Sequence, residues 1–247
     1  MDYWTTLTRL VTKYHSDVAV ATQFEAMAAT RLALAKGQLP EAGLPMLGLN
    51  LDQTLALLAV PQANLREINQ LNHLLHNFRY FVAYHYGMWA FVHQALFSRW
   101  QTLFGPKRYL EVAAGNGYLS LGLSQVGNQV ITTDSLTWQQ ENVTGRSPLV
   151  PVTAMGANEA LFRYADQVDA VVMAWSPDKD PNDVHFLHLL RTRWPDLAFF
   201  LIGERFGATN SRLFWQQAHV ASDRRLLALN QQFKSFDQVH DRIYLIH

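Results

Sequence analysis

The chain has 247 residues, 49% of them hydrophobic, and its 20 Lys or Arg balance its 20 Asp or Glu. That is enough apolar material to bury a core as one large domain or as a domain with an appendage, and too much for a disordered chain. The balance also holds locally, with seven basic and six acidic residues up to Pro106, so no basic stripe is available for a phosphate backbone and a nucleic-acid partner is not expected.

Cysteine is absent, which removes disulfides, thiolate metal sites and cysteine nucleophiles. The opening MDYWTTLTRL has no basic segment followed by an apolar one, so secretion is not expected and the expected address is cytoplasmic. The apolar stretch from Val18 to Leu34 is broken by Gln23, Glu25 and Arg31, too polar for a membrane span. Asn142-Val143-Thr144 fits a glycosylation acceptor and, without a secretory signal, reads as chance. A homodimer is left open.

Helical signals dominate up to Gly105-Pro106. The Ala-rich run from Asp17 to Lys36 predicts a helix stopped by Gly37, and the Gly- and Pro-containing stretch 37–50 predicts a loop. Asn64 and Glu67 have the spacing of a capping pair, ahead of Leu65, Ile68, Leu71, Leu75, Phe78 and Val82 at helical intervals. Gly87 should break or kink this run before Met88 to Trp100. Beyond Pro106, apolar runs at 109–113, 129–133, 149–153, 168–174 and 198–203 predict strands. Between and after them, 118–126, 158–164, 183–194 and 211–218 predict helices. Such alternation implies right-handed crossovers and a mostly parallel sheet, closed by an antiparallel pair at 225–229 and 242–246.

The segment YLEVAAGNGYLSLGLSQVG, residues 109–127, reads as strand, glycine-containing turn and helix. Gly115 and Gly117 bracket the turn, where a side chain would block a ligand. The next strand ends in Asp134, on the carboxyl edge where doubly wound sheets bind ligands, and its carboxylate can accept two hydrogen bonds from a ribose diol. Dinucleotide-binding turns use G-x-G-x-x-G with a pyrophosphate at the helix N-terminus. Here the third glycine position is Ser120, and Glu111 at the strand tip would repel a diphosphate. An acid there suits a ligand bearing an ammonium and a sulfonium, which favours S-adenosylmethionine over NAD.

The pattern Glu111, Ala113, Gly115, Gly117 resembles motif I of class I S-adenosylmethionine-dependent methyltransferases, E-x-G-x-G-x-G, with Ala113 where many members have the first glycine. The resemblance covers roughly residues 107–247. It implies a Rossmann-like, doubly wound, seven-stranded and mostly parallel sheet domain at 105–247, preceded by an all-α cap or lid at 1–104. By the same resemblance S-adenosylmethionine is the cofactor, Asp134 holds the ribose hydroxyls with Ser135 beside it, and Ala157 and Asn158 border the adenine. The fourth strand ends in Trp175-Ser176-Pro177, only loosely like the N/D-P-P-Y motif of amino-methylating enzymes. Trp175 is thus a candidate for cofactor or substrate contact, and Ser176, Glu204 and Tyr84 for substrate contact.

The expected activity is methyl transfer to a small-molecule acceptor; the alternative is a catalytically inactive binding or regulatory protein of the same fold. No residue is singled out as catalytic. His73 with His76, and His185 with His188, have helical spacing but no third ligand, so no metal is expected. The cluster Tyr80, Tyr84, His85, Tyr86 and Trp89 reads as core packing or as a lid over the substrate pocket.

Overall fold

A computed structural model describes residues 2–15, 17–140 and 142–247. Six helices come first: α1 (Tyr3–Lys13), α2 (Val18–Ala35), α3 (Leu51–Leu58), α4 (Leu65–His76), α5 (Phe78–Tyr86) and α6 (Gln94–Phe104). Their ends follow local chemistry. Asp2 and Asp17 cap α1 and α2, accepting from the Trp4 and Val20 amides. Asn64 caps α4, but Glu67 does not close a box with it; its carboxylate is drawn instead to Arg9 (2.9 Å) and Lys13 (2.5 Å) of α1. The reciprocal box forms at Asn50 and Gln53, ahead of α3. α5 ends at Gly87 in the left-handed region, and helix resumes only at Gln94.

The remaining elements are β1 (Arg108–Val112), α7 (Tyr118–Gln125), β2 (Gln129–Asp134), β3 (Thr153–Ala154), α8 (Ala157–Tyr164), β4 (Ala170–Ala174), α9 (Asn182–Arg193), β5 (Ala198–Gly203), α10 (Arg212–Gln217), α11 (Arg224–Asn230) and β6 (Arg242–Ile246). They build one sheet in the order β3-β2-β1-β4-β5-β6, parallel except for β6. The order reverses between β1 and β4, which opens a crevice beyond their carboxyl ends.

Among the described residues the sheet has six strands, not seven. Residues 225–229, expected to pair with 242–246, lie in α11, where Asp223 caps the helix and Leu226 and Leu229 are buried at helical spacing. β6 pairs antiparallel with β5 instead. The run 149–153 is strand only from Thr153, because Pro148 and Pro151 interrupt any ladder. Its Leu149 amide bonds the Asn116 carbonyl instead (2.9 Å).

Side chains alternate across the sheet and feed two buried clusters. Leu110, Val171, Met173, Phe199 and Leu201 face α8, α9 and α10. Tyr109, Val172, Phe200 and Ile202 face the other way, and their cluster runs unbroken through Phe97 and Trp100 of α6 to Leu7, Met27 and Leu71 of the earlier helices. The Trp100 indole N–H donates to the Tyr109 hydroxyl (3.1 Å) while its ring tilts over Phe200 (5.0 Å). α6 meets α7 at Gly122, where an added Cβ would fall 2.1 Å from the buried Phe97 ring. Gly122→Val is therefore expected to cost about 1–3 kcal/mol by overpacking, read from the urea midpoint. No helix among the described residues is long and apolar enough to cross a membrane.

Candidate active site

β1 and β4 are neighbours, and each ends in a residue that leaves the usual backbone region. Ala113 follows β1 at φ 53° and Trp175 follows β4 at φ 53°. A left-handed conformation costs a non-glycine residue about 1–2 kcal/mol, and such strain concentrates at ligand sites. After Ala113 the chain turns through Gly115 and Gly117, also left-handed, into α7. These tips line a cavity of about 610 Å³ at the carboxyl edge of the sheet, a volume ordinary for small-molecule sites.

Nine of the twelve residues singled out in the sequence line this cavity. Glu111, Ala113 and Gly115 come from β1 and its turn, and Asp134 and Ser135 from the end of β2. Ala157 and Asn158 open α8, and Trp175 and Ser176 follow β4. The other three do not line it. Gly117 is covered by Val150, whose Cγ2 would lie 2.6 Å from a Cβ there, so the protein's own packing requires that glycine. The Glu204 carboxylate accepts from the His240 amide (2.9 Å) and the Ala208 amide (3.0 Å), which turns it to the backbone. Tyr84 is exposed on α5 and backs the site at one remove, its ring edge-on to Trp89 at 5.4 Å.

Two carboxylates shape the bend from behind. Glu111 is 1% exposed and accepts from the Ser120 amide (2.8 Å) and the Ser120 hydroxyl. Ser120 stands in the first turn of α7, so the carboxylate satisfies one of the free donors at that helix N-terminus. Burial, which disfavours charge, raises the Glu111 pKa to about 7. Asp134 accepts from the Gly115 amide (2.8 Å) through one oxygen and from the Leu136 amide (2.6 Å) through the other. Each oxygen keeps a lone pair for a further donor.

Across the cavity the wall comes from segments whose role sequence reasoning left open. Trp89 lies beside Trp175, ring centroids 6.2 Å apart, and its indole N–H donates to the Thr144 hydroxyl (2.6 Å). Asn142 and Thr144 also line the cavity, so the sequence match to a glycosylation acceptor contributes two residues to the wall. The Thr144 methyl would lie 2.8 Å from a Cβ on Gly115, so a side chain there would strike the wall. Asn116 ties the bend to the end of α5, its amide donating to the Tyr86 carbonyl (2.9 Å), where the Tyr118 hydroxyl also donates (2.9 Å).

Behind Trp175 lies a buried ionic cluster. Arg79 makes a fork to Asp237 (2.6 and 3.0 Å) and a third bond to Asp241 (2.8 Å), which also accepts from the Trp175 indole (3.0 Å). The partners are 158 and 162 residues from Arg79 in the chain, so no local pattern reveals them.

Five carboxylates line the cavity, those of Glu111, Asp134, Glu159, Asp180 and Asp183, and among the described residues no lysine, arginine or histidine does. The lining suits a ligand with positive charge.

No protein-family model matches the chain, and no curated protein matches it in sequence. Part of the chain is similar to solved structures of methyltransferases. One is a provisionally assigned type II methyltransferase of Anaeromyxobacter dehalogenans, 24% identical over 44% of this chain and 46% of that one, with a TM-score of 0.33. A second is an S-adenosylmethionine-dependent methyltransferase of Archaeoglobus fulgidus, 13% identical over 62% of this chain and 91% of that one (TM-score 0.36). A third is the Burkholderia thailandensis 1,6-didemethyltoxoflavin N1-methyltransferase solved with S-adenosylhomocysteine, 13% identical over 68% and 84% (TM-score 0.37). The chain spans under half the length of the first of these.

Proposed function

We propose that the chain is an S-adenosylmethionine-dependent methyltransferase acting on a small-molecule acceptor, with the helices up to Phe104 as the cap of a sheet domain. One observation carries this reading: two of the amides at the bend and the start of α7, those of Gly115 and Ser120, already donate to carboxylates. A pyrophosphate site needs free amides at the bend and at the helix N-terminus. Here Glu111 accepts from Ser120 and Asp134 from Gly115, so the bend repels anions and favours a cation.

The residues present fit the cofactor. Gly115 leaves the bend without a side chain, Asp134 keeps lone pairs for a diol, and Asn158 has a buried carbonyl oxygen with no partner among the described residues. Glu111 would face the ammonium end, and Ala157 with Asn158 the base. When bound, S-adenosylmethionine supplies a methyl group already activated on a sulfonium. The protein's part is then to align an acceptor lone pair with it and to exclude water, tasks suited to the Trp89–Trp175 wall. An acceptor that must lose a proton would need a general base; a neutral amine or ring nitrogen would not.

Calorimetric titration with S-adenosylmethionine and S-adenosylhomocysteine tests the reading, and no binding of either at millimolar concentration would discard it. Binding without turnover on a broad acceptor panel would point to the non-catalytic role. The pH dependence is also fixed in sign. Free Glu111 titrates near 7 because burial holds on to its proton. A ligand ammonium beside it favours the ionised form, so binding releases a proton below that pH. Affinity for S-adenosylhomocysteine should therefore rise, at most tenfold per unit, as pH increases from 5.5 and level off above about 7. Glu111→Gln should flatten this profile; a flat profile in the unmodified protein would remove the ammonium from Glu111.

A further inference from the structure

Past the bend, on the β4 side of β1, the cavity is lined by Ser176 after β4, by Asp180, Asn182 and Phe186 around the start of α9, and by Trp89 and Trp175. We infer that this second lobe takes an aromatic acceptor carrying no negative charge, laid on the Trp89–Trp175 face with Asp180 at its polar end. The inference deepens the methyltransferase reading and rests on it for the word acceptor.

Three features of the lobe lead there. Both indoles are fixed by their own N–H groups, Trp89 on Thr144 (2.6 Å) and Trp175 on Asp241 (3.0 Å). The Arg79 guanidinium lies behind Trp175, 5.2 Å from its ring. Held this way, the indoles turn no donor toward a ligand and present only π faces. Such faces attract flat rings and cations and offer nothing to a carboxylate or phosphate. The two rings are too close to admit a third between them, so they act as one wall, tilted by 33°.

The second feature is charge. An anionic acceptor would enter a cavity lined by five carboxylate residues and, among the described residues, no cationic side chain, and the single net positive charge of a bound S-adenosylmethionine offsets only part of that. It would also shed its hydration on the way in, with few donors in return.

The third feature singles out Asp180. The Asp183 side chain is buried, with the Ser211 amide (2.6 Å) on one oxygen and the Ser211 hydroxyl (2.8 Å) on the other. Glu111 and Asp134 hold the bend amides at the cofactor end, and Glu159 stands on α8 beside it. Asp180 uses one oxygen on the Asn182 amide (3.0 Å), and its other oxygen has no partner among the described residues. It is the carboxylate of this lobe left to receive an ammonium or a ring N–H.

Three probes that share a ring and differ in charge test this: tryptamine, indole and indole-3-acetate. Each is titrated calorimetrically into the free protein and into protein saturated with S-adenosylhomocysteine. Tryptamine and indole should bind at least tenfold more tightly than indole-3-acetate, with tryptamine the tightest. Asp180→Asn should bring tryptamine down to the level of indole and leave indole unchanged, and Trp89→Ala should weaken both. Equal or tighter binding of indole-3-acetate, or no binding of any probe in either state, overturns the inference. Failure of S-adenosylhomocysteine to bind would strike the methyltransferase reading alone, since the probe order in the free protein still decides this one.

Discussion

Arg79→Met is expected to destabilise the protein by about 3–5 kcal/mol, because it leaves two buried carboxylates without their cation. Arg79, Asp237 and Asp241 have side chains only 5–7% exposed, so water does not replace the lost partner. The loss should depend on pH in a stated direction. Burial raises the Asp241 pKa to about 6 against an ordinary 3.8, while Arg79 pulls it down. A carboxyl whose folded pKa is raised favours the fold while protonated, and that contribution fades as pH climbs from about 4 to 6. Without Arg79 the pKa rises further and the fading extends to higher pH. Urea unfolding should thus show a larger deficit for the variant at pH 8 than at pH 5. Adding Asp237→Asn and Asp241→Asn should recover part of it, since neutral amides tolerate the dry site better than unpaired charges. An Arg79→Met protein as stable as the parent at pH 8 would show the cluster to be solvated.

The same cluster marks the limit of what the sequence discloses. Alanine-rich composition reveals the helix from Asp17, a cap and periodicity reveal the one at Asn64, and the short apolar runs reveal four of the five parallel strands nearly to the residue. The motif residues Glu111, Gly115 and Asp134 could be placed around a cavity because each sits at a strand tip, where topology rather than detail sets its position. The errors have local causes. Pro148 and Pro151 remove ladder donors from a run whose composition suggests strand. Leu226 and Leu229 are three apart, a helical interval hidden inside a compact apolar run. α1 passed unnoticed although Leu7, Leu10 and Val11 share a face after the Asp2 cap. Contacts such as Arg79 with Asp241, or Trp89 with Thr144, join segments whose meeting depends on how the helical half settles on the sheet. One sequence carries no trace of that.

If Asp134 holds the ribose as proposed, Asp134→Ala is expected to weaken S-adenosylhomocysteine binding by about 1.5–3 kcal/mol, roughly ten- to a hundredfold or slightly more, through loss of a charge-assisted bond. The geometry adds a second effect. This carboxylate bridges the Gly115 and Leu136 amides, so alanine also leaves two backbone donors unsatisfied and frees the bend to shift. Affinity and stability should therefore fall together in Asp134→Ala. Asp134→Asn separates them. Its single carbonyl oxygen can keep one amide satisfied, but it carries no charge and aims an NH₂ where the other oxygen stood. Its melting temperature should lie between those of alanine and aspartate, with affinity close to that of alanine. If Asp134→Asn instead bound like the parent, the diol would not depend on the charge, and the carboxylate's work would be confined to holding Gly115. If Asp134→Ala folded and bound undiminished, the nucleoside would lie elsewhere in the cavity, away from the tip of β2.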